Sequence, residues 1–264
     1  MQLRKKMAKV NFEGKKILIT GASAGIGKAI AEKLTKLNCN IVLLSRRKEL
    51  LDEFADKHKN SSGKIITIKC DVANLEEVKN AFEIIIRKFN QIDIAILNAG
   101  VSKRNDVKDF DSHIAKKIIN TNFLGIVYCA EFLIKDFMER KYGVIVGVSS
   151  LADSRGYPQS GLYSASKAAV TILLESLRIE LKPYNVKVII VKPGFVRTAM
   201  TDKNEFKMPF LMDVDKAAEI ILKGIRKGKS VIQFPLPTVL GSKALKVLPN
   251  KLYDFLLSLP LPKK

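Results

Sequence analysis

The sequence predicts an α/β fold, a doubly wound sheet of seven parallel strands with helices on both faces. Two observations predict it. Seven short runs rich in β-branched residues recur along the chain, each almost continuously apolar, as strands covered on both faces must be. Helical patterns separate them, and repeated β-α-β units with right-handed crossovers wind a sheet outward from its centre.

In order, the predicted strands are KKILIT (15–20), NIVLLS (40–45), KIITIK (64–69), IDIAIL (92–97), GVIVGV (143–148), VKVIIV (186–191) and SVIQF (230–234). After the first, Ile26, Ile30 and Leu34 recur every four residues and Leu37 follows, which makes one apolar stripe. NLEEVKNAFEIIIRKF opens on Asn74 as a helix cap and repeats the stripe at Val78, Phe82, Ile85 and Phe89. Two longer helices are expected over about 112–138 and 163–181. Beyond residue 235, prolines punctuate two short amphipathic pieces, and Leu252, Phe255, Leu256 and Leu259 fall at i, i+3, i+4 and i+7. The organisation predicted is a flexible basic arm (1–11), one Rossmann-type domain (12–235) and an amphipathic tail (236–264).

Composition narrows the classes. At 264 residues and 47% apolar, the chain can bury a sizeable core and is not disordered. It has no run of 18 apolar residues, so no membrane span is expected. The basic start MQLRKKMAKVNFEGKK lacks the apolar centre of a signal peptide. Cys39, Cys70 and Cys129 are scattered, without metal spacing or a disulfide framework, which points to a reducing cytoplasm. His58 and His113 are far apart, and no metal site is expected. The net charge of +20 suits an anionic partner, but the lysines are spread over nearly every block of ten. Without a dense basic tract or an aromatic nucleic-acid motif, a solvated lysine surface and no specific nucleic-acid partner are expected.

The first strand runs into Gly21, Gly25 and Gly27 and then a helix. Gly21 permits a tight turn, Gly25 lets backbone approach a pyrophosphate, and Gly27 lets helix and strand pack closely. The helix N-terminus then offers free N–H groups to phosphate, with Ser23 and Ile26 of the same turn in contact. The second strand decides the nucleotide. An NAD site places a carboxylate at its end for the ribose hydroxyl. Here that end reads Ser45, Arg46, Arg47, and guanidinium groups form forked bonds to phosphate. NADP(H) is therefore the expected cofactor.

Tyr163 and Lys167 share one helix face at i and i+4. An ammonium beside a phenol favours the phenolate, a tuning that proton exchange with an alcohol or ketone requires. Ser150 ends the strand GVIVGVSS, where ligands of open α/β sheets bind.

Taken together, TGASAGIG, LNAG (97–100), NTNFLG (120–125), VSS (148–150), YSASK (163–167) and KPGFVRT (192–198) resemble the short-chain dehydrogenase/reductase family, in order and spacing, from about residue 12 to 235. The resemblance implies Tyr163 as general acid/base, and Lys167 as the group that lowers its pKa and binds the nicotinamide ribose. It implies Ser150 as the holder of the substrate oxygen and Asn122, followed three residues later by Gly125, as a support for a proton-relay water. Asp71 and Val72 would meet the adenine, and Asn98, Ala99 and Gly100 the central part of the cofactor. Pro193, Gly194, Val196 and Thr198 would surround the nicotinamide. Many NADP-binding members carry a base before the second glycine; Ala24 stands there, which leaves the 2′-phosphate to Arg46 and Arg47.

The resemblance also places RTAMTDKNEFKMPFLMD over the substrate as a mobile lid. Its three methionines and Phe206, Phe210 and Leu211 suit an apolar or lipid-like ketone or alcohol. An alternative is a 3-oxoacyl (acyl-carrier-protein) reductase, which the charge suits and the altered C-terminus does not. An alternative of another class is a non-catalytic NADP-binding sensor, which has no need of Ser150, Tyr163 and Lys167 together. A homodimer or homotetramer through the two long helices is expected, since AKKIINTNFLGIVYCAEFLIKDFM is apolar around much of its circumference. The tail stripe is expected to cover the active-site mouth, pack on a second subunit or make peripheral contact with a membrane.

Overall fold

β-branched runs and amphipathic stripes alternate through the whole computed structural model, which describes residues 9–259. The strands are β1 (Lys16–Thr20), β2 (Asn40–Ser45), β3 (Ile65–Lys69), β4 (Ile94–Leu97), β5 (Gly143–Val148), β6 (Val186–Pro193) and β7 (Val231–Phe234). All pair in parallel in the order β3-β2-β1-β4-β5-β6-β7. β4 starts two residues later than its apolar run, just after Asp93. Its carboxylate accepts from the Lys16 amide at 3.0 Å and lies 3.7 Å from Arg140. β6 runs two residues further than expected because Lys192 and Pro193 pair with Gln233 and Phe234.

The helices are α1 (Gly25–Leu34), α2 (Lys48–Lys57), α3 (Leu75–Phe89), α4 (Ser112–Ile119), α5 (Gly125–Arg140), α6 (Gly161–Glu180), α7 (Val214–Arg226), α8 (Leu236–Val247) and α9 (Asn250–Ser258). Asn74 caps α3, accepting from the amides of Glu76 and Glu77. α1, α2 and α7 cover one face of the sheet, packing Ile30, Leu34, Leu51, Ile221 and Ile225 on the strands. α3, α5 and α6 cover the other with Phe82, Ile85, Leu133, Phe137 and Leu174. The stripes of α2 and α7 are not singled out by the sequence reading, although both helices bury them.

The single helix expected over 112–138 is two helices joined by a π-helical turn, Asn120–Leu124. The Gly125 amide bonds back five residues to the Asn120 carbonyl. By length and composition Ser112–Arg140 would also suffice to cross a membrane, with a mean hydropathy of 1.3. Here its apolar face, including the fully buried Cys129 and Phe137, lies in the core against the sheet. Residues 1–8 of the expected basic arm and 260–264 of the tail lie outside the described residues. Val10 is buried and donates its amide to the Arg226 carbonyl at 3.0 Å.

Candidate active site

Connections leave β1 toward β2 on one side and reach β4 on the other, so the strand ends part at the middle of the sheet. A cleft of about 340 Å³ opens there along the C-terminal ends of β1 to β6. Its wall is built from Gly21, Ser23, Gly25 and Ile26 after β1, Ser45, Arg46 and Arg47 after β2, and Asp71 and Val72 after β3. Asn98, Ala99 and Gly100 follow from β4, and Ser150 from β5. Tyr163 and Lys167 project from α6, and Pro193, Gly194, Val196 and Thr198 close the far end after β6. Of the residues singled out from sequence, Gly27 and Asn122 stand behind this wall.

Gly21 and Gly25 both adopt left-handed backbone, at φ 66° and 56°. A Cβ on Gly27 would lie 2.5 Å from the Gly21 carbonyl oxygen and 2.6 Å from the Asn98 amide nitrogen, so α1 packs directly onto the turn. Asn98 locks that turn by donating to the carbonyls of Thr20 and Gly21 at 3.1 and 3.3 Å. α1 has Ala24 at its N-cap, which offers no side-chain cap, and no acid in its first turn, so its leading N–H groups are left for an anion at the cleft. Beside them the Arg47 guanidinium donates to the Ser23 hydroxyl at 2.9 and 3.2 Å, and Ser45 donates to the same oxygen at 2.8 Å. Arg46 lies 3.7 Å from Asp71. Uncapped amides, two hydroxyls and two guanidiniums form a set of donors that fits the phosphates of a dinucleotide.

At the other end, Ser150 accepts from the Ala152 amide at 3.1 Å, and its side chain also bonds the Tyr163 phenol. Lys167 is buried and donates to the Val148 carbonyl at 2.8 Å. Its Nζ lies 5.8 Å from the Tyr163 ring centre. Burial lowers the Lys167 ammonium from 10.5 to about 8. Tyr163 departs from the sequence expectation. Its pKa is raised, first by burial and further by the Asp153 charge, with the Ser150 bond pulling the other way. Burial thus disfavours the phenolate, and Lys167 is not among the groups that shift it.

Asn122 is fully buried and does not reach the cleft. Its Oδ1 accepts from the Val101 amide at 2.7 Å, and its Nδ2 donates to the Val101 carbonyl and the Ser166 hydroxyl at 3.0 Å each. It thereby ties the strand-end loop to α6. A Cβ on Gly100 would lie 3.4 Å from Asn122 Oδ1 and 3.5 Å from Lys167 Nζ, so that glycine leaves the space between them clear.

Sequence reasoning missed a supporting chain. Ser149 is buried, and its one hydroxyl hydrogen is shared between the Lys167 carbonyl at 2.9 Å and the Thr171 hydroxyl at 2.8 Å. Thr171 donates to Asp153 at 2.5 Å, and Asp153 pairs with Lys192 at 2.8 Å. The signal was the first serine of VSS and the lysine before the Pro-Gly pair, both inside motifs already noticed. Met200 of the expected lid lines the cleft, as do Thr121 and Val101, which went unremarked as contacts.

A sequence model of the family described as short chain dehydrogenase matches residues 15–208. The chain belongs to the short-chain dehydrogenase family. Among its relatives is an "11-beta-hydroxysteroid dehydrogenase-like 3" of Arabidopsis thaliana, 36% identical over 240 residues, covering 88% of this chain and 77% of that one. A "Farnesol dehydrogenase" of Aedes aegypti is 33% identical over 194 residues, covering 71% of this chain and 79% of that one. A solved short-chain dehydrogenase from Sphingobium yanoikuyae in complex with NADPH superposes with a TM-score of 0.79 at 26% identity, covering 93% of this chain and 96% of that one. The fold and the nucleotide-type cleft of this short-chain dehydrogenase are therefore those of an oxidoreductase family.

Proposed function

We propose that this short-chain dehydrogenase is NADP(H)-dependent and interconverts an apolar ketone and its alcohol. The observation that carries the reading is the meeting of Ser150, Tyr163 and Lys167 at one end of a cleft whose other end gathers Arg46, Arg47, Ser23 and Ser45. Gly21, Gly25 and the free start of α1 would hold the pyrophosphate, and Arg47 and Arg46 the 2′-phosphate. The bound nicotinamide supplies or takes the hydride. The chain's own work is proton transfer and orientation. Ser150 donates to the substrate oxygen, and the protonated Tyr163 phenol delivers a proton to that oxygen as the ketone is reduced. Lys167, fixed by the Val148 carbonyl, stands beside the phenol to hold the ribose and to stabilise the phenolate left when the proton is delivered.

Apolar surface supports the substrate class. Met200 lines the cleft, and Val107, Phe110 and Phe210 stand exposed on the loops flanking it. Phe206 packs edge-on to Phe195 at 5.8 Å and under Arg104 at 5.7 Å, bridging those loops. A farnesol dehydrogenase and a hydroxysteroid dehydrogenase-like protein are named among the relatives, and farnesol and hydroxysteroids are mostly hydrocarbon, which agrees. The test is a panel of steroid ketones, isoprenoid carbonyls and alcohols and 3-oxoacyl thioesters, followed by NADPH and NADH absorbance. Turnover of hydrocarbon-rich carbonyls with NADPH supports the reading; turnover of the thioesters alone, or with NADH alone, rejects it.

A further inference from the structure

The last two helices carry an apolar face that no described residue covers. In α8, Val239 points inward, while Leu236, Leu240 and Val247 lie on one outer stripe with Lys243 set within it. In α9 the inward residue is Tyr253, whose hydroxyl donates to the Gly156 carbonyl at 2.6 Å. Arg155 stacks on its ring at 3.9 Å and donates to the Leu248 carbonyl and Asn250 at 3.2 and 3.3 Å. These bonds pin the tail to the segment that follows Ser150. Leu252, Phe255 and Leu256 of α9, and Leu259 just beyond its end, are left in solvent, with Phe255 61% exposed. Exposed apolar side chains gathered on one face mark a contact site.

Charge selects the occupant. Between residues 236 and 259 the charged side chains are Lys243, Lys246, Lys251 and Asp254, on a chain of net charge +20. A second copy seated symmetrically on this face would set the patch against itself, lysines included. An anionic bilayer attracts the same lysines, and it accepts leucine and phenylalanine at its acyl boundary. We propose that α8 and α9 form a docking face for an anionic lipid surface. Docking there places the cleft beside the phase in which an apolar substrate dissolves. That last consequence rests on the substrate reading above; the docking does not.

The test is flotation of the full chain with vesicles of phosphatidylcholine, alone or mixed with phosphatidylserine. The protein should float with the mixed vesicles, not with phosphatidylcholine alone, and added salt should release it. Lys243→Gln, Lys246→Gln and Lys251→Gln should each weaken binding about fivefold. A Leu252→Ser/Phe255→Ser/Leu256→Ser variant should stay in the unbound fraction while its circular dichroism and thermal transition match the parent. The proposal is overturned if the parent fails to float with mixed vesicles, if it floats equally with both kinds, or if both sets of substitutions leave flotation intact. It is also overturned if the parent is a dimer in solution that the serine variant dissociates. Flotation needs no turnover, so its outcome is independent of the proposed reaction.

Discussion

At Arg47 the guanidinium turns back across the end of β2 to reach Ser23 in the glycine turn. It thereby supplies a base where Ala24 supplies none. Arg46 lies near Asp71 instead, with its side chain 53% exposed. Hydrogen bonds to charged groups are worth about 1.5–3 kcal/mol, so Arg47→Ala should weaken NADPH binding roughly tenfold or more while sparing NADH. Arg46→Ala should cost less. Fluorescence titration of both cofactors checks this; equal losses for NADPH and NADH would contradict a role in reading the 2′-phosphate.

Lys167 gives a second prediction at the same scale. Its folded pKa is about 8, against 10.5 for an ordinary lysine. Below pH 8 both folded and unfolded chains hold the proton, and the full cost of burying it is present. Between the two values the unfolded chain holds more protons, so this group makes the cofactor-free fold more stable as pH rises, by about 3 kcal/mol in all. The buried thiols oppose it: Cys39 and Cys70 are pushed up to about 11 and 12 by burial, and Cys129 is raised as well. Denaturant unfolding of the parent and Lys167→Met across this range isolates the lysine, because both share the thiols. Parallel pH profiles would contradict the assignment.

Among the elements, α6 is held to the strand ends by the chain from Ser149 through Thr171 and Asp153 to Lys192. Both members of the ion pair are nearly buried, with side-chain exposures of 13% and 7%. Lys192→Met would leave Asp153 charged and unpaired, which costs about 3–5 kcal/mol. A shift of the denaturation midpoint reports it, and an Asp153→Leu/Lys192→Met variant should recover much of the loss. An unchanged midpoint in Lys192→Met would show that the pair contributes nothing. The strands were legible in the sequence because each is a bounded apolar run, and the cofactor-side residues because their glycines and arginines sit at strand ends. The π-helical turn was not, since NTNFL reads as unbroken helix and only tertiary contact displaces its hydrogen bonds. The Asp153–Lys192 pair was not either: its members are 39 positions apart, and nothing local distinguishes them from surface charge. Asn122 was found by motif, but that it bonds Val101 rather than facing the cleft depends on how the loop folds over α6.

For the molecule as a whole, we propose a homodimer built on α5 and α6. Ile172 and Ile179, one face of α6, stand 68% and 70% exposed, and Tyr128 and Phe132 of α5 are only partly covered. Light scattering should give twice the chain mass, and Ile172→Glu/Ile179→Glu should halve it; a parent that is monomeric would contradict the contact. The central claim is that a protonated tyrosine at the end of a phosphate-binding cleft delivers the proton of a carbonyl reduction. The most direct measurement compares Tyr163→Phe with the parent for NADPH affinity and for NADPH oxidation with a hydrocarbon-rich ketone. Affinity should be preserved and turnover should fall by about a hundredfold or more, since only the transferable proton is removed. Near-normal turnover in that variant would contradict the account.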